Sequence, residues 1–216
     1  MDLRFGDDGL ITAVIQDRLT GQVRMVGHMS REALVATLTT GRATFFSRSR
    51  GKLWEKGESS GHHLAVRSIH ADCDADALLV LVDPVGPTCH TGSPSCFFRA
   101  VDAEGRAAEE GRDATVVLDA LGREIEARKQ SDAGKSYTRH LLDGGAPRIG
   151  AKIEEEAGEL ARAIAGESDE RVASEAADVV YHVMVGLASR GLSMKDVASV
   201  LAARAGTSGH EEKARR

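Results

Sequence analysis

The chain has 216 residues, with 28 Lys plus Arg against 33 Asp plus Glu, a formal charge of -5, 42% hydrophobic residues and only 4% aromatics. This ordinary soluble balance excludes disordered, collagenous and coiled-coil classes, and at roughly 100 to 200 residues per domain the length allows one large domain or two small ones. A net acidic chain gives no footprint for a nucleic-acid partner, and its longest apolar run, Ala77 to Val82, is far short of the roughly 20 residues of a membrane span. The acidic start Met1 to Asp8 lacks the basic and apolar regions of a signal peptide, so a cytoplasmic protein is expected.

All five Phe, the single Trp and all three Cys lie before Arg99, whereas the sequence after Ala103 is rich in Ala and Glu. Between them AEGRAAEEGRD reads as a solvated linker. The expected organisation is a small β-rich α+β domain over 1–102, a linker over 103–113, an all-α helical bundle over 114–206 and a flexible tail over 207–216.

In chain order, the β-branched and aromatic runs Ile11 to Ile15 and Val23 to Met29 predict strands. A helix follows over Arg31 to Thr39, with Ser30 as N-cap and Gly41 just past its end. Strands are then expected over Ala43 to Ser47, Leu64 to Ile69, Ala77 to Val82 and Phe97 to Val101. The segment SRSRGKLWEKGESSG, after the third run, carries Arg48, Arg50, Lys52, Trp54 and Lys56 among serines and glycines. It reads either as a solvated hairpin or as a phosphate-gripping substrate loop.

Asp72-Cys73-Asp74-Ala75-Asp76 runs into the strand that starts at Ala77. If strand geometry extends back, Asp72, Asp74 and Asp76 share one face and Cys73 the other. Three carboxylates on one face favour a hard cation such as Mg²⁺, with an exposed acidic turn as the alternative. An EF-hand is rejected, because Ala77 stands at its Gly position and Leu78, Leu79 and Val80 follow. Cys89 and Cys96 lie in the Gly- and Pro-rich loop GPTCHTGSPSC. Three thiolates leave one position open in a tetrahedral zinc site, although buried structural thiols are the competing reading. His90 beside Cys89 reads as a ligand, a general base or neither.

These blocks, TGRATFFSRSRGKLWEKGESSG, DCDADALLVLV and GPTCHTGSPSCF, resemble phosphoribosyl-AMP cyclohydrolase from about Ile11 to Phe98. The resemblance implies zinc on Cys73, Cys89 and Cys96, with ligands contributed by both chains of a homodimer, and magnesium on Asp72, Asp74 and Asp76. It also implies hydrolytic opening of the adenine ring between N1 and C6 with water activated at zinc, which would give the basic loop two 5′-phosphates to hold; His90 is then expected, as a hypothesis beyond the resemblance, to assist proton transfer at the metal. After Ser60-Gly61 the family commonly has Asn, where this chain has His62-His63.

Beyond the linker the period becomes 3.6. Val117, Leu118, Leu121 and Ile125 form one apolar stripe, Ile149, Ile153, Ala157, Leu160 and Ile164 a second, and Val172, Ala176, Val179, Val183 and Leu187 a third; Ser193 can cap a last helix through about Arg204. With Glu156 at zero and ~100° per residue, Glu159 falls near ~300°, beside its stripe, and Asp178 bears the same relation to Glu175. Packing these two helices antiparallel brings four carboxylates together, an arrangement that demands cations.

This half is similar to phosphoribosyl-ATP pyrophosphohydrolase, of the all-α nucleotide pyrophosphohydrolase type, through SYTRHLLDGG, KIEEEAGEL and EAADVVYHVMVGL, from about Val116 to Arg204. The resemblance implies Mg²⁺ on Glu156, Glu159, Glu175 and Asp178, with Glu155 orienting a ligand or activating water. Ser136, Arg139 and Lys152 become phosphate contacts and Tyr137 a base or ribose contact; Tyr181 and His182 are expected only to pack. Together the two resemblances describe a bifunctional histidine-biosynthesis hydrolase carrying Zn²⁺ and Mg²⁺, acting on small nucleotides as a homodimer. The rivals are a general nucleotide pyrophosphohydrolase fused to a zinc deaminase-like domain, and a non-catalytic metal-sensing dimer.

Overall fold

Alternation of buried and half-exposed residues makes Ile11–Asp17 a strand, β1, whose Ile11, Ala13, Ile15 and Asp17 point inward. In the computed structural model, which describes residues 1–108, 116–130 and 136–205, β1 pairs antiparallel with β2 (Val23–Met29) and parallel with a later strand that supplies Leu78, Val80 and Val82 to the same core. The chain divides into two compact units, Met1–Val116 and Val117–Arg216. The expected tail and residues 109–113 of the expected linker lie outside the described residues.

In the first unit, α1 (Arg31–Thr40) begins where the Ser30 hydroxyl accepts the Ala33 N–H and ends at left-handed Gly41. Thr37 ties it to the next strand: its hydroxyl donates to the Ala33 carbonyl and accepts from the Thr44 N–H at 3.0 Å. β3 (Thr44–Ser47) and β4 (Lys52–Glu55) form a separate antiparallel hairpin. β5 (Leu64–Ala71) and β6 (Ala77–Pro84) complete the main sheet, in the order β2-β1-β6-β5.

The hairpin reaches the sheet through one close approach. A Cβ on Gly27 of β2 would fall 2.4 Å from a ring carbon of buried Phe45, so this glycine makes space for the ring. Gly27→Ala should cost about 1–3 kcal/mol through overpacking, read as a lowered urea midpoint; an unchanged midpoint would contradict this packing account.

No strand forms over Phe97 to Val101, contrary to the sequence expectation. The backbone there has only an isolated bridge from Val101 to Ala107, and Phe97 and Val101 are exposed. Just before it, Ser95 and Cys96 use their hydrogen bonds on the edge of β2 (Ser95 Oγ to the Val23 carbonyl, 2.7 Å; Cys96 N–H to the Arg24 carbonyl, 2.8 Å), docking the cysteine loop as irregular chain.

The second unit is helical: α2 (Val117–Gln130), α3 (Tyr137–Asp143), α4 (Gly145–Gly166), α5 (Asp169–Ser189) and α6 (Met194–Arg204). The short connection between α4 and α5 makes them antiparallel, and their packing sets Ile149 against Gly186, where a Cβ would lie 3.3 Å from Ile149 Cγ2. At the start of α6 the Ser193 N–H donates to Asp196 Oδ2 at 2.8 Å.

All three stripes differ from expectation. Only Leu121 and Ile125 of the first reach the core, while Val117 is 81% exposed. On α4 Ile149 is buried and Ile153 packs against the core, but Ala157 and Ile164 are exposed and the buried line runs through Glu156 and Ala163. On α5 the apolar stripe from Val172 to Leu187 is half-buried, and the buried line runs through Glu175, His182, Val185 and Ala188. The helix is rotated so that a carboxylate and an imidazole face inward.

Candidate functional site

That rotation builds the acidic centre. Glu156 of α4 and Glu175 of α5, 9% and 3% exposed, meet exposed Asp178 so that one carboxylate oxygen from each lies within 4.8 Å of the others. Burying like charges this close is costly unless cations balance them. Two side chains do so. Lys152 Nζ lies 2.9 Å from both Glu156 and Glu155, and Arg171 pairs with Glu175. The hydrogen bonds to Glu156 and then Glu155 hold the Lys152 ammonium well above its ordinary value. An all-oxygen donor set of this kind can hold a hard divalent ion. Glu159 is not in the group; it faces Arg162 at 3.6 Å.

Beside the acids, His182 Nδ1 lies 2.8 Å from the Asp178 carbonyl, so it must carry the proton there, leaving Nε2 to accept from the Tyr137 hydroxyl at 3.0 Å. The Tyr181 hydroxyl pairs with Thr138 at 2.8 Å. His182, expected only to pack, therefore orients Tyr137. The Ser136 hydroxyl is buried with no hydrogen-bond partner among the described residues. Arg139 is committed to the fold: its Nε donates to Asp143 and its NH1 to the Lys129 carbonyl, both at 2.8 Å.

In the first unit, Cys89 and Cys96 line a cleft of about 470 Å³ with Trp54, Lys56, His62 and His90. Partial desolvation of its sulfur in the cleft pushes the Cys96 thiol up to about 11, aided by the Cys89 charge, although the residue as a whole is exposed. At Cys89 burial acts the same way but is outweighed by hydrogen bonding, chiefly from Thr91, and its pKa is lowered. Burial likewise pulls the Lys56 ammonium down, against the opposing pull of the Cys96 and Cys89 thiolates. His90 Nδ1 is 3.8 Å from Cys89 Sγ. Lys56 Nζ donates to the His62 carbonyl at 3.3 Å, and the His62 ring packs over Gly86, where a Cβ would be 2.6 Å from Cδ2. Arg48, Arg50 and Lys52 sit on the exposed arm of the β3–β4 hairpin, outside the cleft lining, with Arg50 5.8 Å from the Trp54 ring centre.

The three aspartates do come together, by a different geometry from the extended strand expected. Residues 72–76 form the turn of the β5–β6 hairpin: Asp72 Oδ1 accepts the N–H groups of Asp76 and Ala77, and Ala75 takes φ 62°. Carboxylate oxygens of Asp72, Asp74 and Asp76 lie within 4.8 Å of one another, and all three residues are exposed. The Ala77 and Asp76 N–H groups hold Asp72 below the usual carboxylate range, whereas the charges of Asp74 and Asp72 raise Asp76. A cation between them would relieve that repulsion. Cys73 is exposed on the same turn and does not line the cleft of the other two cysteines.

Comparison with known proteins agrees with this division. The family model for phosphoribosyl-AMP cyclohydrolase matches residues 25–98, and that for phosphoribosyl-ATP pyrophosphohydrolase matches residues 118–205. The histidine biosynthesis bifunctional protein HisIE of Photobacterium profundum is 46% identical over 197 residues, covering 91% of this chain and 93% of the relative. Its namesakes in Wolinella succinogenes (44% over 209 residues; 94% and 91%) and Caldanaerobacter subterraneus (41% over 203 residues; 94% and 96%) are similar throughout. The chain belongs to the HisIE family. It is a bifunctional hydrolase of histidine biosynthesis, converting phosphoribosyl-ATP to phosphoribosyl-AMP and then opening the adenine ring. No described helix is long and apolar enough to cross a membrane.

Within the cyclohydrolase unit, sequence reasoning missed Arg24, a buried side chain whose Nε donates to Thr88 at 3.2 Å and whose NH1 donates to Gln22 at 2.9 Å. Together with its carbonyl bond to Cys96, this holds the cysteine loop. An Arg placed between apolar Val23 and Met25 in a strand is the signal that could have revealed it. In the pyrophosphohydrolase unit the missed residue is His182, whose adjacency to Tyr181 in an apolar run concealed its polar role.

Proposed function

We propose that Mg²⁺ is held by Glu156, Glu175 and Asp178, with Glu159 at the rim and Glu155 close enough to orient a water, and that this centre cleaves phosphoribosyl-ATP between its α- and β-phosphates. The observation that carries the reading is the pair of nearly solvent-free carboxylates presented by facing helices and balanced by Lys152 and Arg171. When bound, a divalent cation neutralises triphosphate charge and supplies an activated water. Lys152, keeping Glu155 as partner, turns its ammonium toward the phosphates, with Ser136 donating its free hydroxyl. Tyr137, fixed by His182 and half-exposed at the mouth, contacts ribose. This suits an all-α nucleotide pyrophosphohydrolase fold over 114–206, after a linker at 103–113.

For the cyclohydrolase unit the proposal is zinc on Cys89 and Cys96 of one chain and Cys73 of the partner subunit, with Mg²⁺ on Asp72, Asp74 and Asp76. The separation of Cys73 from the other two in a single chain supports ligands shared across a homodimer. In the pyrophosphohydrolase unit, apolar residues left outside, such as Ile164 of α4, which is 66% exposed, separately fit a dimer of that unit. Trp54 and Lys56 face the purine, His90 moves the proton that frees N1, and the exposed Arg48, Arg50 and Lys52 hold phosphate. A cytoplasmic location fits substrates that are free nucleotides.

A raised Cys96 thiol sets a pH test. The thiol is protonated throughout the neutral range and must release its proton to bind metal, so apparent zinc affinity should rise at least tenfold per pH unit between pH 6 and 8. Competition with a chromophoric chelator measures this; a pH-independent affinity would exclude the thiol as a ligand.

A further inference from the structure

Arg148 has no role in the account above, yet its placement is specific. It lies two turns before Glu156 on α4, with Lys152 midway, so that Arg148, Lys152 and Glu156 form one i, i+4, i+8 row about 12 Å long at 1.5 Å per residue. Its NH1 is 2.7 Å from Nε2 of His140 on α3, and among the described residues no carboxylate pairs with it. Arg139, the neighbouring cation, is already held by Asp143 and the Lys129 carbonyl. The first turn of α4 carries no acidic residue.

Room for Arg148 is built into the backbone. A Cβ at Gly144 would fall 2.5 Å from Arg148 Cδ and 2.8 Å from its Cβ. Gly144 has φ -73° and ψ -10°, a conformation open to any residue, so the glycine there serves space and not torsion. A guanidinium whose near neighbour is an imidazole and not a carboxylate has a weak partner, and a phosphate dianion would bind it with charge-assisted, bidentate hydrogen bonds.

Phosphoribosyl-ATP carries phosphate at two ends, the triphosphate and the 5′-monophosphate of the added ribose. Two riboses and a purine separate the ends, on the order of two to three helical turns, ~11–16 Å. We infer that Arg148, with His140, is the site of that 5′-monophosphate and makes the pyrophosphohydrolase unit select phosphoribosyl-ATP over ATP. The inference rests on the reading of Glu156, Glu175 and Asp178 as the triphosphate end.

The test uses the full-length enzyme with Mg²⁺. In Arg148→Gln, KM for phosphoribosyl-ATP should rise about tenfold with kcat changed less than twofold, the pattern of lost uniform binding. Inhibition by ribose 5-phosphate should disappear, while Ki for ATP, which lacks the second phosphoribosyl group, stays within twofold. Gly144→Ala should show the same selective change, and Arg148→Lys should recover part of it. An unchanged KM, or a KM and an ATP Ki that rise together, would overturn the assignment. Failure of the underlying reading is visible separately, as pyrophosphate release that survives in Glu156→Gln.

Discussion

Glu156→Gln is expected to lower pyrophosphate release from phosphoribosyl-ATP by at least ~10²-fold, about 2.7 kcal/mol of transition-state stabilisation, without loss of folding stability in the absence of metal. The buried carboxylate shares Lys152 with Glu155, so the isosteric amide leaves the ammonium one partner at 2.9 Å. It also removes one of three negative groups gathered within 4.8 Å. What disappears is the hard-oxygen ligand. Mg²⁺ at 100 times its Kd should stabilise the native enzyme by about 2.7 kcal/mol, and most of that increment should vanish in the variant. Turnover at the native rate would remove Glu156 from the centre.

Cys96→Ser is expected to abolish ring opening, by ~10³-fold or more, about 4 kcal/mol, and to leave pyrophosphate release unchanged. Serine keeps the backbone N–H that docks this position on the Arg24 carbonyl, so the loop stays in place. A hydroxyl does not ionise near neutral pH and is a poor zinc ligand beside thiolates. Zinc content measured on the same sample should fall with the rate. Ring opening at the native rate with zinc lost would refute the zinc mechanism, and zinc retained at the native level would remove Cys96 from the ligand set.

The extent to which these sites were legible in the sequence differs by element. α1 was readable because Ser30 and Gly41 bracket it and both act as caps. α3 was not, since a seven-residue helix that buries only Thr138 and Leu141 has no stripe to detect. β4 was hidden because Leu53 and Trp54, adjacent and flanked by Lys52 and Glu55, make no alternating pattern over its four residues. The acidic centre was anticipated from matching helical phases, which placed Glu159 beside Glu156 and Asp178 beside Glu175; packing leaves Glu159 facing Arg162 and rotates α5 so that His182 is buried with Glu175. In DCDAD the residue types pointed to a cation while the assumed strand was wrong, because Asp72 caps a turn whose left-handed Ala75 no alternation pattern could signal. The buried Arg24 and the Gly144 cradle depend on contacts distant in sequence or set by backbone approach, which spacing does not encode.

The most direct test of two consecutive hydrolyses on one chain is to supply phosphoribosyl-ATP with Mg²⁺ and Zn²⁺ and follow pyrophosphate release and the absorbance change of ring opening together. The account predicts both signals, equal in amount, with pyrophosphate first and ring opening after a lag set by phosphoribosyl-AMP. Ring opening without prior pyrophosphate release, or common nucleoside triphosphates consumed faster than phosphoribosyl-ATP, would contradict it.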